Sequence, residues 1–198
     1  MENNVLIESY DKHKQEIESK LKEFSENKNN IQELFFCLLT PQSKAEKCWQ
    51  AVKDLENCKN EKTEIENCLK TKTRFYRNKA GYLIEANKRW SEIKPKLNEK
   101  NSRELRNWLA ENVKGLGMKE ASHFLRNIDK SDNQLAILDR HVLRKLEELK
   151  VIEKEVKLNK KNYLEIEQKM QNFAQKEGIP LDHLDLLFWK IESGRIFK

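Results

Sequence analysis

Residues 105–127 read LRNWLAENVKGLGMKEASHFLRN, and this stretch decides the fold. Leu105, Trp108 and Leu109 stand at i, i+3 and i+4, one face of a helix, and Ala121, Phe124 and Leu125 resume that spacing beyond the glycines. Between the two helices Lys114-Gly115-Leu116-Gly117 reads as a tight turn. Glycine accepts φ > 0 without a Cβ clash, and Leu116 can pin the turn into the core. The whole motif, 104–127, is a helix–hairpin–helix. The start of its second helix presents unpaired N–H groups and a positive dipole end, which suits one phosphate group. Such a contact positions a nucleic-acid backbone without reading its sequence. Taken alone, an ordinary turn between packed helices explains the pattern equally well.

Working outward, helical spacing continues in both directions. Residues 3–26 carry Val5, Ile7, Ile17, Leu21 and Phe24 among Lys and Glu, and 31–40, IQELFFCLLT, are too apolar for a surface helix. Thr40-Pro41 ends that run, because the residue before proline is pushed out of the α region. Ser43 with Glu46 then offers a capping box for a helix to about Leu55. A short helix fits 61–70. Over 74–94 Phe75, Tyr82, Ile84 and Trp90 fall mainly on one side, with Pro95 limiting the end. Downstream, Asp139 in LAILDRHVLRKLEEL can cap a helix starting at Arg140, and 160–177 and 181–193 form the last two helices, separated by Gly178 and Pro180. No segment shows convincing period-2 alternation, so the fold class is all-α.

Composition agrees. Only 5 Gly and 3 Pro in 198 residues leave too few turn-formers for a β-rich chain. No run approaches the roughly 18–20 apolar residues of a membrane span, and MENNVLIESYDK lacks the layout of a secretory signal. Cys37, Cys48, Cys58 and Cys68, spaced by 11, 10 and 10, offer no short metal-binding pair. They read as reduced thiols of a cytoplasmic protein. Lys and Arg exceed Asp and Glu by 39 to 33, a net +6 that hints at a polyanion without identifying one. The excess is placed, however: residues 114–145 hold seven Lys/Arg against four Asp/Glu.

Lys119 lies two residues beyond Gly117, and Asp139 follows 20 residues later in LDRHVL. Read alone, the first is a surface lysine and the second a plain N-cap. GLGMKEASHFLRN followed by AILDRHVLR resembles the helix–hairpin–helix DNA glycosylases. More narrowly it resembles the type-2 8-oxoguanine DNA glycosylase/AP lyases, a likeness that extends to RFYRNKAGYLIEA and to LDLLFWKIESGRIFK. The resemblance implies two helical lobes flanking a DNA-binding cleft, approximately 1–30 plus 120–198 and 31–119. It implies excision of 8-oxoguanine from duplex DNA by lysine Schiff-base chemistry, then strand cleavage by β-elimination. Lys119 is then the nucleophile and Asp139 its acidic partner. A desolvated lysine near a helix's positive end favours the neutral amine that attack requires.

Further roles follow from the same resemblance. Trp189 and the terminal Lys198 match a recognition pair for the oxidised purine, with Met118 able to line that pocket; helix core, a frayed end and a packed Met are the alternatives. Lys114, Gly115, Gly117, Arg140 and Arg144 are candidate DNA-backbone contacts, as is Arg126, and His123, one turn after Lys119, can support it or be structural. Pro41-Gln42-Ser43-Lys44 departs from the type-2 pattern and is similar to the gap-filling glutamine segment of endonuclease III, so Gln42 is either a plug for the vacated stack or a loop residue. No cysteine follows Cys68, so no iron–sulfur cluster, and no metal, is expected. A monomer acting on duplex DNA in the cytoplasm is expected, with no membrane partner. Two other readings stay open: an endonuclease-III-like enzyme for oxidised pyrimidines, and a non-catalytic helix–hairpin–helix module.

Overall fold

The computed structural model describes residues 2–27, 30–58, 61–154 and 158–198. Eleven helices and no strand occur among them: α1 (Glu2–Glu26), α2 (Asn30–Leu39), α3 (Ala45–Leu55), α4 (Lys62–Leu69), α5 (Tyr76–Lys88), α6 (Trp90–Lys96), α7 (Ser102–Asn112), α8 (Met118–Asn127), α9 (Arg140–Glu148), α10 (Lys160–Glu177) and α11 (Leu181–Ser193). The chain divides into two compact units. One comprises residues 1–26 with 125–196, the other 27–124 with 197–198, and the division falls inside α8.

In the first unit α11 packs against α1, α9 and α10. Its apolar positions, Leu184, Leu187 and Phe188, are buried with Ile17, Phe24, Val142, Leu146 and Met170. Gly178, at φ 69°, closes α10 in the left-handed conformation, and Pro180 precedes α11. That placement of glycine after a helix and proline before the next is the usual division of labour between the two residues. In the second unit α2 buries Leu34, Phe36, Cys37, Leu38 and Leu39 against α3 and α5, as its apolar run requires.

Three local expectations are corrected. Ser43 does not cap α3: the N-cap is Lys44, without a side-chain bond, because the Ser43 hydroxyl is engaged elsewhere, as described below. The segment 74–94 is broken at Arg89 into α5 and α6, and α6 runs through Pro95 to Lys96. The buried face of α5 is Lys79, Ala80, Leu83 and Ala86, while Phe75 stands before that helix, 53% exposed. Finally, Cys58 and Cys68 are joined as a disulfide, because α4 packs back on α3 and brings their ends together; Cys37 and Cys48 are buried thiols outside that disulfide.

Candidate active site

The hairpin is built from the end of α7. Val113 closes that helix by donating to Leu109 O, and the N–H of Leu116 then donates to Val113 O at 3.1 Å. Leu116 is buried, as the sequence suggested. Gly115 has φ +92°, and a Cβ there would lie 2.4 Å from Cδ2 of Tyr82, so an aromatic ring sits where any side chain would go. Gly117 differs from expectation. Its φ is not positive, and a Cβ would instead meet the Glu120 carboxylate at 3.0 Å. The second glycine makes room for a side chain rather than for a backbone reversal. Arg89 supports the turn from below by donating to Asn112 O at 2.6 Å.

Lys119 is the second residue of α8, and its side chain keeps 24% exposure. Its amine lies 3.1 Å from Glu120 Oε1, a partner that sequence reading missed although the two are neighbours. Met118 is half-buried beside it. His123 packs edge-on to Phe36, with ring centroids 5.6 Å apart. Lys114 is exposed, 3.9 Å from Glu85.

In the other unit the buried run Leu135–Leu138 delivers Asp139 to the start of α9. The aspartate caps that helix, accepting the N–H of His141 and of Val142, each at 2.8 Å and both on Oδ1. Oδ2 is not used by the cap. Arg140 is exposed, and Arg144 pairs with Glu192 and, at 3.7 Å, with Glu148. The Arg144 hydrogen bond holds the Glu192 carboxyl below its ordinary range. His141 faces Glu192 at 3.4 Å, and its ring lies 5.2 Å from that of Trp189. Trp189 is half-buried, whereas Leu186, Leu187 and Phe188 before it are core. Arg126 is no phosphate contact. It is 2% exposed, 3.3 Å from Asp185 and stacked over Phe24, because that face of α8 points into the core of its own unit.

The chain end belongs to the second unit. The Lys198 ammonium sits 3.7 Å from the centroid of the Trp49 ring and pairs with the fully buried Glu33. Phe197 and Trp49 both meet Phe36 edge-on. This last residue is anchored, not frayed. Neither Trp49 nor Glu33 was found from sequence. A lone carboxylate inside IQELFFCLL was the available signal, since a buried charge demands a partner.

The same unit carries two loop tips with positive φ at non-glycine residues: Gln42 (φ 53°), exposed, and Phe75 (φ 55°), exposed and lying under the Arg74 guanidinium. Between them Lys79, only 3% exposed, directs its ammonium to Leu39 O (2.7 Å), Pro41 O (2.8 Å), Ser43 Oγ (3.0 Å) and Thr73 Oγ1 (2.6 Å). Burial pushes this lysine down to about 8. No cluster of three or more His, Cys, Asp or Glu side chains able to hold a metal occurs among the described residues. No helix of those residues is long and apolar enough to cross a membrane.

The family model described as 8-oxoguanine DNA glycosylase matches residues 11–179. A protein of Fusobacterium nucleatum subsp. nucleatum named 8-oxoguanine DNA glycosylase/AP lyase is 40% identical over 216 residues, covering 98% of this chain and 97% of its own. The crystal structure of the Methanocaldococcus jannaschii 8-oxoguanine DNA glycosylase superposes with a TM-score of 0.89 at 34% identity, covering 100% of this chain and 96% of that one. A second crystal structure of that archaeal glycosylase/lyase, in complex with a 15mer DNA containing 8-oxoguanine, gives 0.87 at 33% identity, covering 98% and 100%.

Proposed function

The chain belongs to the 8-oxoguanine DNA glycosylase family, and on that premise we propose how its own residues remove 8-oxoguanine from DNA and then cut the strand. The observation that carries the proposal is the delivery of Lys119 by the hairpin into the first turn of α8, within a chain that matches the family along nearly its whole length. Lys119 Nζ, once neutral, attacks C1′ of the damaged nucleotide. The bond from C1′ to the base breaks, and the base leaves with its electron pair and takes up a proton. Ring opening gives a Schiff base between Lys119 and the sugar. Loss of a C2′ proton then expels the 3′ phosphate, and water releases the enzyme. Glu120, 3.1 Å from the amine, is placed to take the proton Lys119 must lose before attack.

Asp139 stabilises the positive charge that builds on the sugar as the base departs. Its cap on α9 fixes Oδ1 and leaves Oδ2 for this task. Trp189 and the terminal Lys198 read the extruded base, with Met118 beside the nucleophile. Gln42 and Phe75 enter the space the base vacates, since an extruded base leaves an unstacked hole. Lys114, Gly115, Gly117, Arg140 and Arg144 hold the backbone, with His123 supporting α8 through Phe36. The reaction so written needs neither metal nor iron–sulfur cluster. We place the enzyme in the cytoplasm with the genome, acting as a monomer. The relatives are named 8-oxoguanine DNA glycosylase/AP lyase, which favours this reading over a pyrimidine-specific enzyme or a non-catalytic module.

Borohydride reduction with lesion-containing duplex tests the assignment. It should trap a covalent protein–DNA complex with the wild type and none with Lys119→Gln. Wild-type trapping in that variant would remove Lys119 from the mechanism.

A further inference from the structure

We propose that Lys79 is a positioning residue that locks the two exposed tips, Gln42 and Phe75, into a single two-pronged wedge that enters the duplex when the lesion is extruded. The inference rests on the gap-filling reading given above and names what makes it work.

The case begins with strain. Gln42 and Phe75 both hold left-handed backbone, at φ 53° and 55°, a conformation in which the Cβ of a non-glycine residue crowds the following carbonyl. For a bulky aromatic such a φ is a genuine outlier that persists only when the surroundings impose it. Here the surroundings are one knot of hydrogen bonds. Lys79 donates to both carbonyls that flank Thr40 (Leu39 O and Pro41 O), which fixes the path of the chain immediately before Gln42. It also donates to Ser43 Oγ, immediately after Gln42, and to Thr73 Oγ1, two residues before Phe75.

The two loops are tied to each other as well. Thr73 Oγ1 donates to Leu39 O at 3.0 Å, the Ser43 and Thr73 hydroxyls are 2.8 Å apart, and the N–H of Arg74 donates to Ser43 Oγ at 3.0 Å. Every one of these partners brackets a tip, and neither tip takes part. A buried lysine is expensive to keep unless its ammonium is satisfied. At 3% exposure it is retained here on a helix face whose other members are Ala80, Leu83 and Ala86. An apolar residue would fill that position at lower cost, so the ammonium serves the loops rather than the core. Two prongs held by one group also explain Ser43: its hydroxyl is withdrawn from the N-cap of α3 because the knot uses it.

The experiment reads base unstacking separately from chemistry. A duplex carrying 8-oxoguanine with 2-aminopurine beside it is bound by variants in a Lys119→Gln background, and the fluorescence rise on binding is recorded. Borohydride trapping on single-stranded DNA with an abasic site, in the Lys119 background, reports the lysine chemistry without any need to open a stack. Lys79→Met should lose most of the fluorescence rise and lower duplex kcat/KM by roughly tenfold or more, while single-strand trapping stays within about twofold of wild type. Adding Lys79→Met to the Gln42→Ala/Phe75→Ala variant should change the rise no further, because a lock without prongs has nothing to hold. Should Lys79→Met not fold, Thr73→Val removes one partner of the knot and should give a smaller loss of the same kind.

A normal rise in Lys79→Met (or in Thr73→Val, if that is the variant that folds), with the rise lost in Gln42→Ala/Phe75→Ala, overturns the role of Lys79 and leaves the gap-filling reading standing. A normal rise in Gln42→Ala/Phe75→Ala overturns the gap-filling reading itself, and the lock with it. Equal losses of duplex activity and single-strand trapping in Lys79→Met would make the lysine merely structural.

Discussion

The cap that Asp139 forms and the catalytic role proposed for it can be separated by substitution. As a cap it accepts two backbone N–H groups at 2.8 Å on one oxygen, satisfying donors that the start of α9 would otherwise leave unpaired. Asn and Ser cap about as well as Asp, so Asp139→Asn and Asp139→Ser should leave unfolding free energy within about 0.5 kcal/mol of wild type, whereas Asp139→Ala should cost about 1 kcal/mol. In the proposed catalytic role it supplies a negative charge to a developing cation, which none of the three replacements carries. Loss of one preorganised electrostatic group costs on the order of 10²–10³ in rate. Base excision under single-turnover conditions should therefore fall by that factor in all three variants alike, with DNA affinity largely kept. Urea denaturation and single-turnover excision on one duplex suffice. An Asn variant that excises at the wild-type rate would refute the catalytic role. Excision that tracked stability, with Ala far below Asn and Ser, would reduce Asp139 to its cap.

Gly115→Ala should destabilise the hairpin by about 2–4 kcal/mol, combining a left-handed φ of +92° with a Cβ 2.4 Å from the Tyr82 ring. Tyr82→Ser in the same chain should recover the part due to the clash and none due to φ, as chemical denaturation of the pair would show. Burial lowers Lys79 from 10.5 to about 8, so the folded state disfavours its ammonium relative to the unfolded chain. Stability from this group is fully present above the unfolded value and is lost as pH falls through the folded one. Wild type should accordingly gain on the order of 2–3 kcal/mol relative to Lys79→Met between pH 7.5 and 10.5, measured by urea denaturation across that range; a flat difference would refute the shift.

Much of this was legible in the chain because it is local. The turn around Gly115, the Asp139 cap, the apolar α2 and the Gly178–Pro180 break each depend on residues within a few positions of one another. What failed to show depends on partners remote in sequence. A hydrophobic-period reading counts Lys79 as a solvent residue, so it rotated α5 toward Phe75, Tyr82 and Ile84. The true buried face becomes visible only when the carbonyls of Leu39 and Pro41 and the hydroxyl of Ser43 are seen to receive the ammonium. Ser43 was misread for the same reason, since a capping box is a local pattern and the knot that replaced it is not. Arg126 looked like a phosphate contact until Asp185 enclosed it. In the candidate site the resemblance singles out Lys119 and Asp139, and the structure places them in the first turn of α8 and at the N-cap of α9. Trp49 and Glu33 under Lys198 were not legible, because they lie far upstream of the terminal residue they hold.

The charge excess around the hairpin can now be weighed residue by residue. Of the seven Lys and Arg in 114–145, Arg126 is committed to a buried pair, and exchanging Asp185 for a phosphate would leave a buried carboxylate uncompensated, at a cost of roughly 3–5 kcal/mol. Lys119 faces Glu120 at 3.1 Å and is assigned to chemistry in the proposed mechanism. Arg144 and Lys145 also have carboxylate partners, in Glu192 and Glu148, but their setting differs. Arg144 is 53% exposed and Glu148 50%, while their partners Glu192 and Lys145 keep 25% and 21%, so each pair has one member largely in water. Ion pairs at the surface are worth about 0–1 kcal/mol, so either cation can trade its carboxylate for a phosphate with little loss. Together with Lys114, itself 3.9 Å from the partly exposed Glu85, Lys130 and Arg140 they make five cations open to exchange, against a formal excess of three over the same stretch. Net charge thus understates the capacity for phosphate. The exposure of each partner sets it, because only pairs that water already weakens can be exchanged when DNA arrives.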